Sequence, residues 1–472
     1  MRQAWHRIDL KTILCEWFRL AFAGQWPKIA TVQGGAKIYS QLKGAVCLLA
    51  AFFLFACKSS DPTDWRTPLK NDLTKAKLED LRERANQNDY FAMTHLGWRY
   101  DTGTGVKQDL REAATWYRLA AEDGHHSMAQ NNLGCLYRDG RGVIQDYTTA
   151  AIFFRHAAHQ GNRHAKTNLG WLFERGYGVP RNYEKAFDLY TEAAAERRDF
   201  KTGQPVPGHP MAQNNLGRLY LDGKGLHRPD PYEAFKLFTK AANAGNHHAL
   251  HNLGIMYERG LAVKLDIRRA LVYYDQAMQK GNVYSITAIA CIFEEGKGVP
   301  KNYELAKNYY ESAIKKGSTM AMFNLANMKH RGRGMKEDNI GASDLMRSAA
   351  ERGNAFAQAS FAEMLENGIG VPQDFAKAAH WYEQAAKQGL AVGQLNLALI
   401  LATELTGKRD LVSAYKWMAI AASNGNEGAR KNLDRISEGM NEDQLAAAID
   451  HAKAFVPQPV VEELLRPEGP QG

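Results

Sequence analysis

The chain has 472 residues, 45% of them apolar, with a formal net charge of +9. That is ample material for a large core. Residues 1–57 carry seven Lys/Arg against two Asp/Glu, which leaves +4 spread over the remainder, too little and too dispersed to argue for nucleic acid. The five cysteines form no disulfide framework.

Residues 1–42 lack organisation. Lys43 is followed by the uncharged run Gly44–Cys57, GAVCLLAAFFLFAC, which reads as a secretion signal and is short for a membrane span. Leu54-Phe55-Ala56-Cys57 resembles a bacterial lipobox. The resemblance implies cleavage before Cys57, lipidation of its thiol and a membrane anchor through it. Lys58 in place of Asp then favours the outer membrane, facing the periplasm. An uncleaved N-terminal anchor is the alternative. Leu42 or Val32 are candidate starts from alternative codons, since starting at Leu42 leaves a compact signal. Residues 58–72 are polar with two prolines and read as a tether. Residues 73–88 predict a capping helix, with Asn88 at its closing position.

From residue 89 to 437 the chain restates one unit. In Asn132–Gly161 a short helix carries Leu133, Gly134 and Tyr137 on one face, and a Gly140-x-Gly142 turn follows. Asp146 opens a second helix with Ala150, Phe153, Phe154, Ala157 and Ala158 at helical spacing. The landmark alanine falls at Ala113, Ala150, Ala186, Ala234, Ala270, Ala306, Ala342, Ala378 and Ala414, spaced by 36 or 37 residues except for one step of 48. Alanine recurs seven residues on in all nine copies, from Ala120 to Ala421. Four residues before each landmark stands Asp or Asn (Asp109, Asp146, Asn182, Asp230, Asp266, Asn302, Asp338, Asp374, Asp410), an N-cap acceptor suited to the helix dipole. Gly124, Gly161, Gly245, Gly281, Gly317, Gly353, Gly389 and Gly425 close the second helices, where a left-handed residue is needed. Small residues let two helices approach, and pairs such as Trp116/Tyr117, Tyr273/Tyr274 and Trp381/Tyr382 fill the groove. Each unit is an antiparallel helix hairpin that buries its apolar face only by stacking on a neighbour.

The pattern A-x-x-x-L-G-x-x-Y-x-x-G-x-G-V-x-x-D-x-x-x-A-x-x-W-Y-x-x-A-A-x-x-G resembles the Sel1-like repeat family, over about three quarters of the chain. The resemblance implies an all-α, right-handed α/α solenoid related to tetratricopeptide repeats, acting as a protein-binding adaptor. Nine repeats are expected, with the start of a tenth. The fourth is displaced by the insertion 197–209, rich in Gly and Pro, which reads as a projecting loop. In the seventh repeat Lys329 and Met335 depart from the pattern. In the ninth, Glu404 and Thr406 replace the turn glycines, so that turn must take another path. Residues 438–456 predict a C-terminal capping helix, and 457–472, with its prolines, a mobile tail holding one short helical piece.

No catalytic constellation is present: there is no G-x-S-x-G, H-E-x-x-H or C-x-x-C. Some cysteine-rich relatives are linked to β-lactam binding, but this chain lacks their cysteine pairs. Cys135 and Cys291 share one slot four repeats apart and read as small buried residues rather than a disulfide. His247 and His251 are i,i+4 on one helix without an evident third metal ligand, so the cluster His247/His248/His251 reads as wet helix-end histidines, like His125/His126. No cofactor or metal is expected.

The most informative polar signal precedes the first-helix leucine: Asn132, Asn168, Asn215, Asn252, Asn324, Asn396 and Asn432, interrupted by His95, Ala288 and Ser360. A carboxamide donates and accepts at once. In related tetratricopeptide solenoids this position lines the concave groove and clamps an extended chain. The resemblance carries that role to Asn132, Asn168, Asn215, Asn252, Asn324 and Asn396; the alternative is that each bonds to the neighbouring repeat. The expected function is a non-catalytic, envelope-tethered scaffold gripping a protein partner. An immunity protein against a periplasm-acting toxin such as a phospholipase, an exported host-directed virulence factor, and a cell-wall or β-lactam hydrolase are the other readings.

Overall fold

The structure, a computed structural model, describes residues 76–123, 125–198 and 203–457. The signal run with Cys57, the tether, residues 73–75 of the expected cap, Gly124 and the tail beyond Pro457 lie outside the described residues. Everything described belongs to one compact unit, Ser60–Gly472. The described residues form 21 helices and one two-stranded hairpin. No helix among the described residues is long and apolar enough to cross a membrane.

Helix α1 (Leu78–Asn86) precedes nine hairpins. These pair α2 (Tyr90–Thr102) with α3 (Leu110–Glu122), α4 (Ser127–Asp139) with α5 (Tyr147–His159), and α6 (Arg163–Arg175) with α7 (Tyr183–Ala194). After β1 (Arg197–Arg198) and β2 (Pro205–Val206) come α8 (Pro210–Asp222) with α9 (Pro231–Asn243), α10 (His247–Arg259) with α11 (Ile267–Gln279), and α12 (Val283–Glu295) with α13 (Tyr303–Lys315). Then follow α14 (Thr319–His330) with α15 (Asn339–Glu351), α16 (Ala355–Asn367) with α17 (Phe375–Lys387), and α18 (Ala391–Leu401) with α19 (Leu411–Ser423). Helices α20 (Glu427–Ser437) and α21 (Glu442–Lys453) end the described chain. Each helix from α1 to α20 packs on the next in sequence, and α21 folds back onto α19, which makes an all-α solenoid.

Local chemistry sets the boundaries. All nine expected N-cap side chains accept backbone N–H bonds from the first turn of the second helix, as Asp109 does from Arg111 and Glu112. Asn88 has φ 64°, as its closing position requires. In the Gly140-x-Gly142 turn both glycines have positive φ, and a Cβ on Gly142 would strike the Leu110 carbonyl of the preceding hairpin. The ninth turn does take another path: its left-handed residue moves to Gly407, φ 96°. The insertion differs from expectation. It is not a plain loop but a short antiparallel β-hairpin pairing Arg197 with Val206, tied down where Arg163 donates to the Pro207 carbonyl at 2.6 Å.

Inside seven of the nine hairpins a second-helix ring, and in the other two Met346 or Met418, faces a first-helix glycine or alanine. A Cβ on Gly134 would come within 2.7 Å of Phe154, and one on Gly170 within 2.8 Å of Tyr190. The rings of Tyr117, Phe154, Tyr190, Phe238, Tyr274, Tyr310 and Tyr382 are fully buried there.

The ring identity is coupled to a residue five beyond the first-helix leucine. Where the ring is Tyr117, Tyr190, Tyr274, Tyr310 or Tyr382, that residue is Asp101, Glu174, Glu258, Glu294 or Glu366. Where that position holds Phe154, Phe238, Met346 or Met418, the residue is Arg138, Leu221, His330 or Ala402. The last four tyrosine hydroxyls donate to their carboxylates at 2.6–2.9 Å. A cation from the next repeat then closes the arrangement: Arg141 on Asp101, Arg218 on Glu174 at 2.9 Å, Lys297 on Glu258 at 2.8 Å and Arg333 on Glu294 at 3.0 Å. Burial pushes the Glu174 carboxyl up, but Arg218, then Arg175 and the Tyr190 hydroxyl, outweigh it and hold it below its usual value. Glu174 and Arg218 are only 5% and 4% exposed, so removing one strands the other. Arg218→Ala is expected to cost about 3–5 kcal/mol. Arg347→Ala, in an open pair with Asp344, should cost under about 1 kcal/mol. Denaturant midpoints of the two variants measure both.

Candidate functional site: the first-helix surface

The asparagine row is divided. Asn132, Asn168, Asn215 and Asn252 are 3, 3, 1 and 5% exposed. Asn324, Asn396 and Asn432 are half-buried. The closed members bond to side chains of the preceding repeat or of their own helix. Asn168 donates to the Asn131 carbonyl oxygen at 3.0 Å, and Asn252 to that of Asn214 at 2.9 Å. Arg138 donates to Asn168 at 3.2 Å. Asn131 and Asn214 in turn donate to Asn132 and Asn215, both at 3.2 Å. Asn131 and Asn214 escaped the sequence reading. Their signal is the Gln-Asn-Asn run, present at 130–132 and 213–215. Both glutamines tie the run to the preceding second helix through the carbonyls of Ala121 and Ala194.

The open members have different surroundings. Asn324 donates to Cys291 Sγ at 3.3 Å, and that thiol lies 3.2 Å from the Tyr310 oxygen, whose own proton goes to Glu294. A cleft opens beside them, lined by Glu294, Glu295, Asn327 and Arg331 among others. Asn396 lies beside the Tyr382 hydroxyl. Asn432 bonds only to the Gly428 carbonyl of its own helix. Burial pushes the Cys291 thiol up to about 11 and that of Cys135 to about 12, so neither is a reactive thiolate at neutral pH. Both cysteines are free.

The histidines require a correction. His248 and His251 are not on a wet helix end: both are buried, and His251 shares a 2.9 Å hydrogen bond with the Ser285 hydroxyl. Stacking of the next repeat over the start of α10 removes them from water. Burial, then His247, pushes His251 down to about 3. Among the described residues no group of three or more His, Cys, Asp or Glu is placed to hold a metal.

His95 interrupts the asparagine row and is fully buried, with no hydrogen-bond partner at either ring nitrogen. Burial first, then Arg99 and Arg84, pushes it down to about 4. A base depressed in the fold stays neutral there while the unfolded chain takes up a proton. Stability present above about pH 6.5 is therefore lost as pH falls toward 4. The melting temperature should drop between pH 7.5 and 5, and His95→Asn should make that drop shallower. An unchanged slope would remove His95 from the account.

The repeats can now be compared with known proteins. The Sel1 repeat model matches nine segments: 91–125, 127–162, 163–196, 210–246, 247–282, 283–318, 319–354, 355–390 and 391–426. Together they span more than half of the chain. The chain belongs to the Sel1 repeat family. It is a Sel1-repeat scaffold, an architecture typical of protein–protein interaction. Among solved structures, a Sel1 repeat protein from Oxalobacter formigenes is 30% identical over 48% of this chain and 86% of its own, TM-score 0.43. A protective antigen of uropathogenic Escherichia coli is 26% identical over 82% of this chain and 96% of its own, TM-score 0.36. An immunity protein from Pseudomonas aeruginosa is 16% identical over 47% and 83%, TM-score 0.36. No curated protein matches the chain.

Proposed function

We propose that this Sel1-repeat chain is a non-catalytic scaffold, tethered in the bacterial envelope through a lipid on Cys57, that grips a partner polypeptide along the concave surface of its first helices. The observation that carries this reading is the change in the asparagine row. The first repeats bury their carboxamides and, apart from Asn215 Nδ2, bond them within the row, whereas Asn324, Asn396 and Asn432 are half-open and Asn324 lies beside a polar cleft. Asn324 and Asn396 are then the members that meet an extended chain, and Asn132, Asn168, Asn215 and Asn252 hold the surface in register for them. A carboxamide facing a backbone donates and accepts together, which binds a chain without reading its side chains.

The test begins with crosslinking of the intact protein in envelope fractions to identify its partner, followed by affinity measurements on purified components. Asn324→Ala with Asn396→Ala is expected to weaken binding by about 1–3 kcal/mol at unchanged melting temperature. Asn215→Ala with Asn252→Ala is expected to lower the melting temperature while binding by the folded fraction persists. Affinity that is indifferent to the first pair removes the clamp. Cys57→Ser should release the chain from the membrane fraction, and a protein that stays there unchanged speaks against the anchor.

A further inference from the structure

Five hairpins carry the buried tyrosine with its carboxylate, and in four of them a cation from the next repeat completes the arrangement: Arg141, Arg218, Lys297 and Arg333. These cations come from two places. Arg141, Lys297 and Arg333 stand eight residues beyond the first-helix leucine position of their repeat, in the turn, and Arg218 stands two beyond it. The fifth pair is different. Tyr382 donates to Glu366 at 2.9 Å, but in the ninth repeat both cation positions hold leucine, Leu399 and Leu405, which are 42% and 50% exposed. Arg409, close by in sequence, is spent on the Ala402 carbonyl at 3.1 Å, as Gln108, Gln145 and Gln373 are on the corresponding carbonyls of their own repeats. Among the described residues no cation pairs with Glu366.

The junction of the sixth and seventh repeats shows what is missing. Its polar residues have counterparts two repeats on: Glu294 and Glu366, Tyr310 and Tyr382, Asn324 and Asn396. There Arg333 binds Glu294 at 3.0 Å, within the polar cleft beside Asn324. In the later junction Arg333 gives way to Leu405, and Cys291 to Glu363, which is exposed and whose charge acts on the Tyr382 hydroxyl. One positive charge is lost and one negative charge is gained around an equivalent tyrosine. Exposed leucines next to carboxylates without a counter-ion fit a long side chain with an aliphatic stem and a cationic head.

We propose that this junction takes a lysine or arginine side chain of the partner polypeptide, which closes on Glu366 and Glu363 as Arg333 closes on Glu294. Asn396, beside the same tyrosine, holds the partner's backbone next to it. This occupant rests on the reading of Asn396 as a residue that meets an extended chain, and it adds a demand for positive charge at one position of that chain.

The probe is a labelled, end-blocked heptapeptide, Ala-Ala-Ala-Arg-Ala-Ala-Ala, with a twin in which citrulline, neutral and of similar shape, replaces the arginine. On the full chain at low ionic strength the arginine peptide should bind roughly tenfold tighter than its twin, the difference expected of one charged hydrogen-bonded pair. The chain's net charge of +9 opposes any such preference arising without a site. Glu366→Gln, which keeps an acceptor for Tyr382, should remove the preference at unchanged melting temperature, and Glu363→Gln should reduce it. Asn396→Ala should weaken both peptides alike. Equal affinities for the two peptides, with Asn396→Ala still weakening both, would overturn the proposal and leave the backbone clamp standing. An arginine preference with affinities indifferent to Asn396→Ala would remove the clamp and keep the cation site. A preference that survives Glu366→Gln, or no binding of either peptide at millimolar concentration, would also overturn the proposal.

Discussion

Everything in this solenoid depends on how closely the two helices of a hairpin can approach. The contact that decides it is a second-helix ring resting on a glycine or alanine of the first helix, as Tyr190 rests on Gly170. A side chain on the glycine would enter space the ring already fills, and overpacked cores relax at a cost of about 1–3 kcal/mol. The contact also fixes where the ring ends, and hence where a tyrosine hydroxyl must find an acceptor. The carboxylate five residues beyond the leucine supplies it, and the cation of the next repeat neutralises that carboxylate. One steric contact inside a repeat thus propagates into an ionic contact between repeats.

The polar groups along the first helices follow the same logic. A solenoid with thin apolar seams brings carboxamides, imidazoles and guanidiniums out of water, and each must be satisfied within the molecule. The paired asparagines 131/168 and 214/252 do so across junctions. Exceptions among the described residues include Asn215 Nδ2, His209 Nε2 and His95, neither of whose nitrogens has a partner and which burial holds neutral. Under the proposed function, the partner meets the part of the surface where the asparagine row opens, from repeat seven onward. There Asn324, Asn396 and Asn432 stand half-open, with a polar cleft beside Asn324.

The repeat itself was legible from the residues alone. Alanine spacing, nine N-cap Asp/Asn residues and the closing glycines are local signals, because each satisfies a backbone requirement within a few residues of its own position. They placed the hairpins and even the altered ninth turn, where the absence of glycine at 404 and 406 already ruled out the usual path. What remained hidden was exposure. His248 and His251 read as wet, and Asn132 to Asn252 as candidates for a groove, because nothing within one repeat records how closely the next covers it. The Tyr–carboxylate coupling was written in the sequence, but its partners stand 16 residues apart and its cation about 40 further on, beyond the reach of local periodicity. The sequence therefore determined the unit and its count, since these are set by backbone capping and apolar spacing. The tertiary structure alone decided which polar side chains face one another and which face outward, since burial belongs to pairs of repeats and not to any single one.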